Sequence, residues 1–381
     1  MRALVYAANL HVGGGIQVAA SVIEELSKMG VEAREISVWA SGAVNSNLEQ
    51  IGTSTSAFLN YKVVNHKGIH AMWSREREIL GKFDVILVIF GPVYFLLRST
   101  PLVIGFAQPW IIYDSSEVYQ LLSPLQRVTL RGKYWLQSKF FSLGHILLAE
   151  LEHVRDGIVK RGIVPYDRVR IVRNCISSLY QYEEQWMPLK LPVQKNRYRL
   201  GFLGRNYVHK NTVIFPEVVK LLRNHYGIEV DMVVTFNEEE WSKCSQEFQA
   251  NVSNIGPLAL AQCPEFYRQI DAIVFPSLLE CCSVTPLEAM AMKCTVFASD
   301  RPFVRDVCGE FADYFDPLNP FDVASVIANR LSMPRSEQWL AEAREHARGF
   351  SSAKQRAEDY LNCMKEVHSA SNSGVEGSIH V

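Results

Sequence analysis

No run of about eighteen apolar residues occurs in this 381-residue chain, so no transmembrane helix is expected. The eight cysteines are scattered without a Cys-x-x-Cys, and the ten histidines show no metal-ligand spacing. That excludes the common zinc modules and leaves reduced cytosolic thiols as the reading. Cys281 and Cys282 are adjacent and cannot form an ordinary disulfide together. Charge of one sign is lacking as well: the formal net charge is −1, which counts against a dedicated nucleic-acid binder. Gly13-Gly14-Gly15 falls short of the dinucleotide fingerprint, because Val18 stands where its third glycine belongs. A dehydrogenase is disfavoured accordingly. No Asp-x-Asp metal motif and no short repeat are present. The opening Met1–Ala8 reads as a first strand rather than a leader peptide.

What the chain does hold is apolar material, 48% of its residues, enough for two full cores. Strand and helix signals alternate throughout, which predicts an α/β fold with parallel sheets. Strands are expected at Arg2–Ala8, Glu32–Val38, Asp84–Phe90, Leu102–Ala107, Ile146–Ala149 and Val169–Val172. A second series is expected at Arg199–Gly204, Ile228–Thr235, Ala272–Phe275 and Thr295–Ser299. Residues 41–68 are polar without clear periodicity and read as a mobile loop. The pattern breaks into Tyr, Gln, Glu, Pro and Lys after residue 178. The expected domains are therefore 1–178 and 198–350, with 179–197 as linker, a final helix over 351–368 and a flexible tail over 369–381.

The most telling stretch is Pro276-Ser-Leu-Leu-Glu280-Cys-Cys-Ser-Val-Thr-Pro-Leu-Glu288. It follows an apolar burst that suits a buried strand, and it leads into a helix with Pro286 in its first turn. Glu280 therefore lies in a loop at the carboxyl end of a strand, where open α/β sheets bind ligands, and Glu288 lies about one turn into the helix. The N–H groups of Ser283 and Val284 are placed to meet an anion. Arg205 and Lys210 occupy a similar corner, after the strand that ends at Gly204. Two cations there suit a diphosphate, since Arg bridges two oxygens and Lys acts as a point charge. Taken alone, they read as surface cations on a solvated loop; taken with Glu280 and Glu288, they read as a ligand site.

Arg-x4-Lys followed by Pro-Ser-x-x-Glu-x7-Glu resembles the retaining, GT-B-fold glycosyltransferases of carbohydrate-active family four. Within that family the likeness is closest to bacterial enzymes that assemble O-antigen or capsule repeat units. The resemblance runs from Gly13 to about Tyr360 and implies two Rossmann-like domains with parallel sheets facing across a cleft. It implies an acceptor-binding first domain, a nucleotide-sugar-binding second domain and a last helix that crosses back to the first. Arg205 and Lys210 would stabilise the leaving diphosphate, Glu280 would bond the transferred sugar, and Glu288 would hold the ribose hydroxyls. Gly14 and Gly15 would border the donor diphosphate, and Asn174 resembles the family's asparagine at the end of the first domain. No metal or other cofactor is implied; the nucleotide sugar is a substrate.

Two departures stand out. Gln108 occupies the place of a family histidine that touches the donor sugar; it can hydrogen-bond a hydroxyl but cannot protonate. Cys281-Cys282-Ser283 replaces the commoner Gly-Phe-Gly, which alters the backbone freedom of that loop. Elsewhere, Ser123–Phe141 carries Arg127, Arg131, Lys133 and Lys139 with Trp135 among them and no acid. Such a segment suits a bilayer surface or a lipid-diphosphate acceptor, and equally an ordinary helix with a basic solvated face. The expected protein is a cytoplasmic transferase, peripheral to the inner membrane face, acting on a lipid-linked oligosaccharide. The alternatives are a sugar-nucleotide 2-epimerase of the same fold and a non-catalytic carbohydrate-binding relative.

Overall fold

The computed structural model of the protein describes residues 1–68, 76–94, 100–113 and 117–376. The chain divides into two compact units. The first comprises Met1–Asp114, Pro124–Cys175 and Ser351–Val381; the second comprises Ser115–Ser123 and Ile176–Phe350.

In the first unit, seven strands form one sheet: β1 (Ala3–Ala7), β2 (Ile36–Ala40), β3 (Asn60–Val63), β4 (Val85–Val88), β5 (Leu102–Gly105), β6 (Ile146–Ala149) and β7 (Val169–Ile171). Their order is β3-β2-β1-β4-β5-β6-β7, and every pairing is parallel. β1, β2, β4, β5 and β6 are buried along their whole length, as a parallel sheet covered on both faces requires. β3 is the exposed edge strand, with the polar sequence Asn-Tyr-Lys-Val. It lies in the stretch expected to be a mobile loop. That stretch instead holds a helix, Gly42–Gln50, whose N-cap Ser41 accepts a hydrogen bond from the Val44 N–H at 3.2 Å. An edge strand and a short helix that buries Val44 and Leu48 leave little apolar period to read.

The helix Gly14–Ser27 packs Val18, Val22, Ile23 and Leu26 into this unit's core. The last helix, Ala353–Glu376, adds Ala357, Tyr360, Leu361, Met364 and Val367 at helical spacing to the same core. The helix continues through 369–376, where a frayed tail was expected; residues 377–381 lie outside the described ones.

The second unit repeats the plan with β8 (Tyr198–Phe202), β9 (Val230–Val234), β10 (Ser253–Asn254), β11 (Ala272–Phe275), β12 (Thr295–Ser299) and β13 (Asp313–Phe315), in the order β10-β9-β8-β11-β12-β13. All its pairings are parallel. Gly201 in β8 has a packing reason: a Cβ there would sit 2.7 Å from Phe266 Cζ and 2.7 Å from Ile270 Cδ1. Its absence lets the helix Cys263–Arg268 lie close on the sheet.

Residues 179–197, read from sequence as a linker, are attached to this second unit. Tyr180 is buried, the Met187 N–H donates to Ala261 O at 2.8 Å, and Gln269 Nε2 donates to Leu189 O at 2.9 Å. Arg199 Nη2 donates to Pro192 O at 2.6 Å. The polar composition that suggested a linker is that of a strap held by side-chain-to-carbonyl bonds. Val118 and Tyr119, from the first half of the sequence, are also buried in the second unit, and Glu117 pairs with Arg301 at 3.5 Å.

Candidate active site

β8 and β11 are neighbours, and the strand order reverses between them: β9 and β10 lie to one side, β12 and β13 to the other. This is a topological switch point, where loops leaving adjacent strands diverge and open a crevice at the carboxyl ends. The two motif-bearing segments leave from these strands. One follows Phe202 and carries Arg205 and Lys210; the other follows Phe275 and carries Glu280.

The segments are stitched together. The Leu278 N–H donates to His209 O at 2.7 Å, and the Gly204 N–H donates to Thr235 Oγ1 at 3.0 Å. Asn211 takes a left-handed conformation, φ 53°, and its Nδ2 donates to Pro317 O at 2.7 Å. Asparagine tolerates that region better than most residues, so the turn after Lys210 is held without glycine. Lys210 is thereby aimed at Glu280, with Nζ 2.5 Å from Oε1, and it lies 5.2 Å from the centre of the Phe275 ring. Both side chains are mostly buried, at 16% and 13% exposure. Arg205 goes elsewhere: its Nε donates to Glu240 Oε1 at 2.7 Å, and it remains half-exposed. Glu240 also closes a capping box with Asn237 on the helix Glu238–Ser242. Burial holds the His209 imidazole below its ordinary pKa.

Glu288 sits in the helix Thr285–Ala291 and is buried, at 8% exposure. Tyr267 donates its hydroxyl to Glu288 Oε2 at 3.1 Å, and the same hydroxyl is 3.3 Å from Thr285 O. Desolvation pushes the Glu288 carboxyl up to about 7, against the pull of the Tyr267 and Tyr180 hydroxyls. Ser283 and Val284 lie half-buried just before this helix.

The remaining sequence-predicted residues belong to the first unit. Gly14 is exposed at the start of the helix Gly14–Ser27, and a Cβ on Gly15 would touch Phe90 and Leu10 at 3.4 and 3.5 Å. Gln108 precedes the short helix Pro109–Ile112. Asn174 is buried, and its Oδ1 accepts from Arg356 Nη1 at 2.5 Å and from the Cys175 N–H at 2.9 Å. Its side-chain oxygen thus serves the last helix. Arg127, Arg131, Lys133 and Trp135 lie on the helix Pro124–Phe141. Arg131, Lys133 and Trp135 are exposed on it, and Arg127 is half-buried.

Sequence reasoning missed Tyr180, Tyr267, His209 and Glu240. Only Glu240 had a local signal, the Asn-x-x-Glu spacing of a capping box. The tyrosines reach Glu288 through tertiary packing alone.

Comparison with known proteins bears on this arrangement. The family described as "Glycosyl transferases group 1" matches residues 197–332. Residues 197–332 form a glycosyl transferases group 1 domain. This group 1 domain contains Arg205, Lys210, Glu280 and Glu288. The O-antigen chain mannosyltransferase RfbU of Salmonella typhimurium is 22% identical over 229 residues, which cover 58% of this chain and 60% of that relative. Anabaena Alr3699/HepE, solved in complex with UDP-glucose, superposes with a TM-score of 0.70 at 12% identity, covering 96% of this chain and 99% of that one. A UDP-forming alpha,alpha-trehalose-phosphate synthase from Burkholderia vietnamiensis gives 0.68 at 11% identity, covering 97% and 98%. The fold is therefore GT-B: α/β, with two Rossmann-like parallel sheets.

Proposed function

We propose that the protein is a retaining, metal-independent glycosyltransferase of bacterial surface polysaccharide biosynthesis, O-antigen or capsule. It moves a sugar from a UDP- or GDP-sugar to a lipid-linked oligosaccharide. The observation that carries this reading is the Lys210–Glu280 pair at the switch point of the group 1 domain, with Glu288 in the next helix. The name of the Salmonella relative and the UDP-glucose bound by the Anabaena protein support it.

Each residue has a task in this chemistry. Breaking a sugar–phosphate bond builds charge on the departing diphosphate, and Lys210 and Arg205 supply the opposing charge. Glu280 fixes Lys210 in the free protein and bonds the sugar hydroxyls in the complex. Glu288 accepts the ribose hydroxyls, for which a carboxylate has lone pairs to spare. Ser283 and Val284 N–H groups border the diphosphate. With Arg205 exchanging Glu240 for the diphosphate, two protein cations would face it and make a bound metal unnecessary.

Glu288→Ala tests the nucleotide assignment. Losing charge-assisted bonds to ribose should weaken UDP or GDP binding about 10- to 100-fold. A thermal-shift titration reads this directly, since a ligand stabilises the state it binds. Equal nucleotide shifts in variant and wild type would remove Glu288 from the site. Binding without turnover of any nucleotide sugar would favour the carbohydrate-binding alternative.

The helix Pro124–Phe141 supports peripheral contact at the inner membrane face. Leu125, Val128 and Trp135 are 77%, 70% and 64% exposed, at spacings that place them along one stripe. Arg131 and Lys133 stand on the same helix, and the apolar groups are of the kind that enter a headgroup layer. At about 1 kcal/mol per cation, Arg131→Gln with Lys133→Gln should weaken binding to anionic vesicles roughly 30-fold. Unchanged co-sedimentation would make this face ordinary solvated surface.

A further inference from the structure

Glu288 is the most deeply buried carboxylate in the group 1 domain's motif, and its surroundings are unusual for a residue meant to bind a ligand. Among the described residues, no cation is among the groups that act on it. Among the described residues these are Tyr267 and Cys263, from the helix Cys263–Arg268, and Tyr180, from the strap at the start of the second unit. The helix Thr285–Ala291 also packs against the helices Pro302–Cys308 and Glu337–Gly349, and neither contributes a charged group to that set. Tyr180 and Tyr267 are both buried, with ring centres 6.2 Å apart. The Tyr267 hydroxyl lies within reach of two acceptors, Glu288 Oε2 at 3.1 Å and Thr285 O at 3.3 Å.

We propose that Tyr267 is a positioning residue for nucleotide binding: its hydroxyl holds the Glu288 carboxylate in the orientation that receives the ribose, and releases it when the carboxylate takes a proton. The inference rests on the ribose-binding role of Glu288 stated above. One hydroxyl has one proton to give. With Glu288 ionised, Tyr267 donates to Oε2, and the other carboxylate lone pairs remain for ribose. With Glu288 protonated, the acid is itself a donor; Tyr267 accepts from it and turns its own proton to Thr285 O. The carboxyl then presents fewer acceptor sites to the ribose. Nucleotide affinity should therefore fall as the medium becomes acidic.

The sign can be followed through. The Glu288 carboxyl stands at about 7 in the folded protein against an ordinary 4.5. A raised value in the folded state makes the free protein lose stability as pH rises through that window. The gain from nucleotide grows over the same window, so the two effects run in opposite directions. Tyr267 donates to the ionised form, so Tyr267→Phe leaves desolvation less opposed and moves the binding midpoint upward.

The experiment is titration calorimetry of UDP and GDP from pH 5.5 to 8.5, with the wild type, Tyr267→Phe, Tyr180→Phe and Glu288→Gln. Glu288→Gln has no carboxyl to titrate and removes this component from the profile, leaving that of the nucleotide itself. The midpoint in Tyr267→Phe should rise by about one pH unit, with roughly tenfold weaker binding near neutrality that recovers in base. Tyr180→Phe should move the midpoint the same way, by less. Phenylalanine keeps the ring in place, and melting temperatures check that the variants fold. A Tyr267→Phe midpoint equal to wild type, with Glu288→Gln still flattening the profile, overturns the positioning role alone. Wild-type affinity and profile in Glu288→Gln, or no binding of either nucleotide to the wild type, overturns the ribose reading and this inference with it.

Discussion

Replacing Lys210 with alanine is expected to lower turnover about 10²- to 10³-fold while changing nucleotide affinity far less. The magnitude is that of deleting one preorganised group that faces developing charge, about 2.7–4 kcal/mol. The split between turnover and affinity follows from when the interaction matters. In the free protein Lys210 is already neutralised by Glu280 at 2.5 Å, so binding the ground-state diphosphate only exchanges one partner for another. Negative charge on the leaving oxygen grows as the sugar–phosphate bond lengthens, and only then does Lys210 gain more than it gave up. Its geometry needs little rearrangement, because the Leu278–His209 backbone bond and the Phe275 ring already fix the loop and the side chain. The measurement is nucleoside diphosphate release from the nucleotide sugar that stabilises the wild type, with and without acceptor. Lys210→Arg keeps the charge and should recover part of the rate. A chelator in the wild-type assay should leave the rate unchanged. If Lys210→Ala loses melting temperature and binding in proportion to its rate, the residue is a brace for Glu280 and the leaving-group role fails.

The alternation of short apolar bursts with helical periods was legible because parallel strands bury both faces. β6, β11 and β12 match their expected limits residue for residue for this reason. β3 was not legible, since an edge strand needs no apolar face. The loop positions of Lys210 and Glu280 followed from residues beside strand ends, a local pattern. Their mutual contact, and the diversion of Arg205 to Glu240, depend on how two loops and the helix Glu238–Ser242 pack, which no spacing encodes. The aromatic neighbours of Glu288 come from positions 180 and 267, brought together only by the folded second unit. The strap at 179–197 misled for a related reason. Its prolines and polar residues carry no period, yet Tyr180 anchors it by burial and Trp186 by lying under Arg268, whose guanidinium is 5.6 Å from the ring centre.

The last helix offers the largest expected effect on stability. Arg356 is 3% exposed and donates to Asn174 Oδ1, and Glu150 is buried at 5% exposure in the same neighbourhood, where Cys175 and Tyr360 feel both charges. Arg356→Ala removes the cation from this dry cluster and leaves the buried Asn174 Oδ1 without its charged donor. Losing a charge-assisted bond to a buried acceptor costs about 1.5–3 kcal/mol. For a unit of this size that corresponds to a melting temperature lower by about 6 °C. Asn174→Ala leaves the charges in place and removes one charge-assisted bond, so a loss of about 1.5–3 kcal/mol is expected. The two variants together also decide what Asn174 is for. If its side chain serves only to anchor the last helix, nucleotide should raise the melting temperature of Asn174→Ala as much as that of wild type. If Asn174 completes the donor site, as the family resemblance implies, that rise should shrink in Asn174→Ala and persist in Arg356→Ala. Equal stability of Arg356→Ala and wild type would mean that the helix is held by its apolar face alone, through Ala357, Tyr360, Leu361, Met364 and Val367.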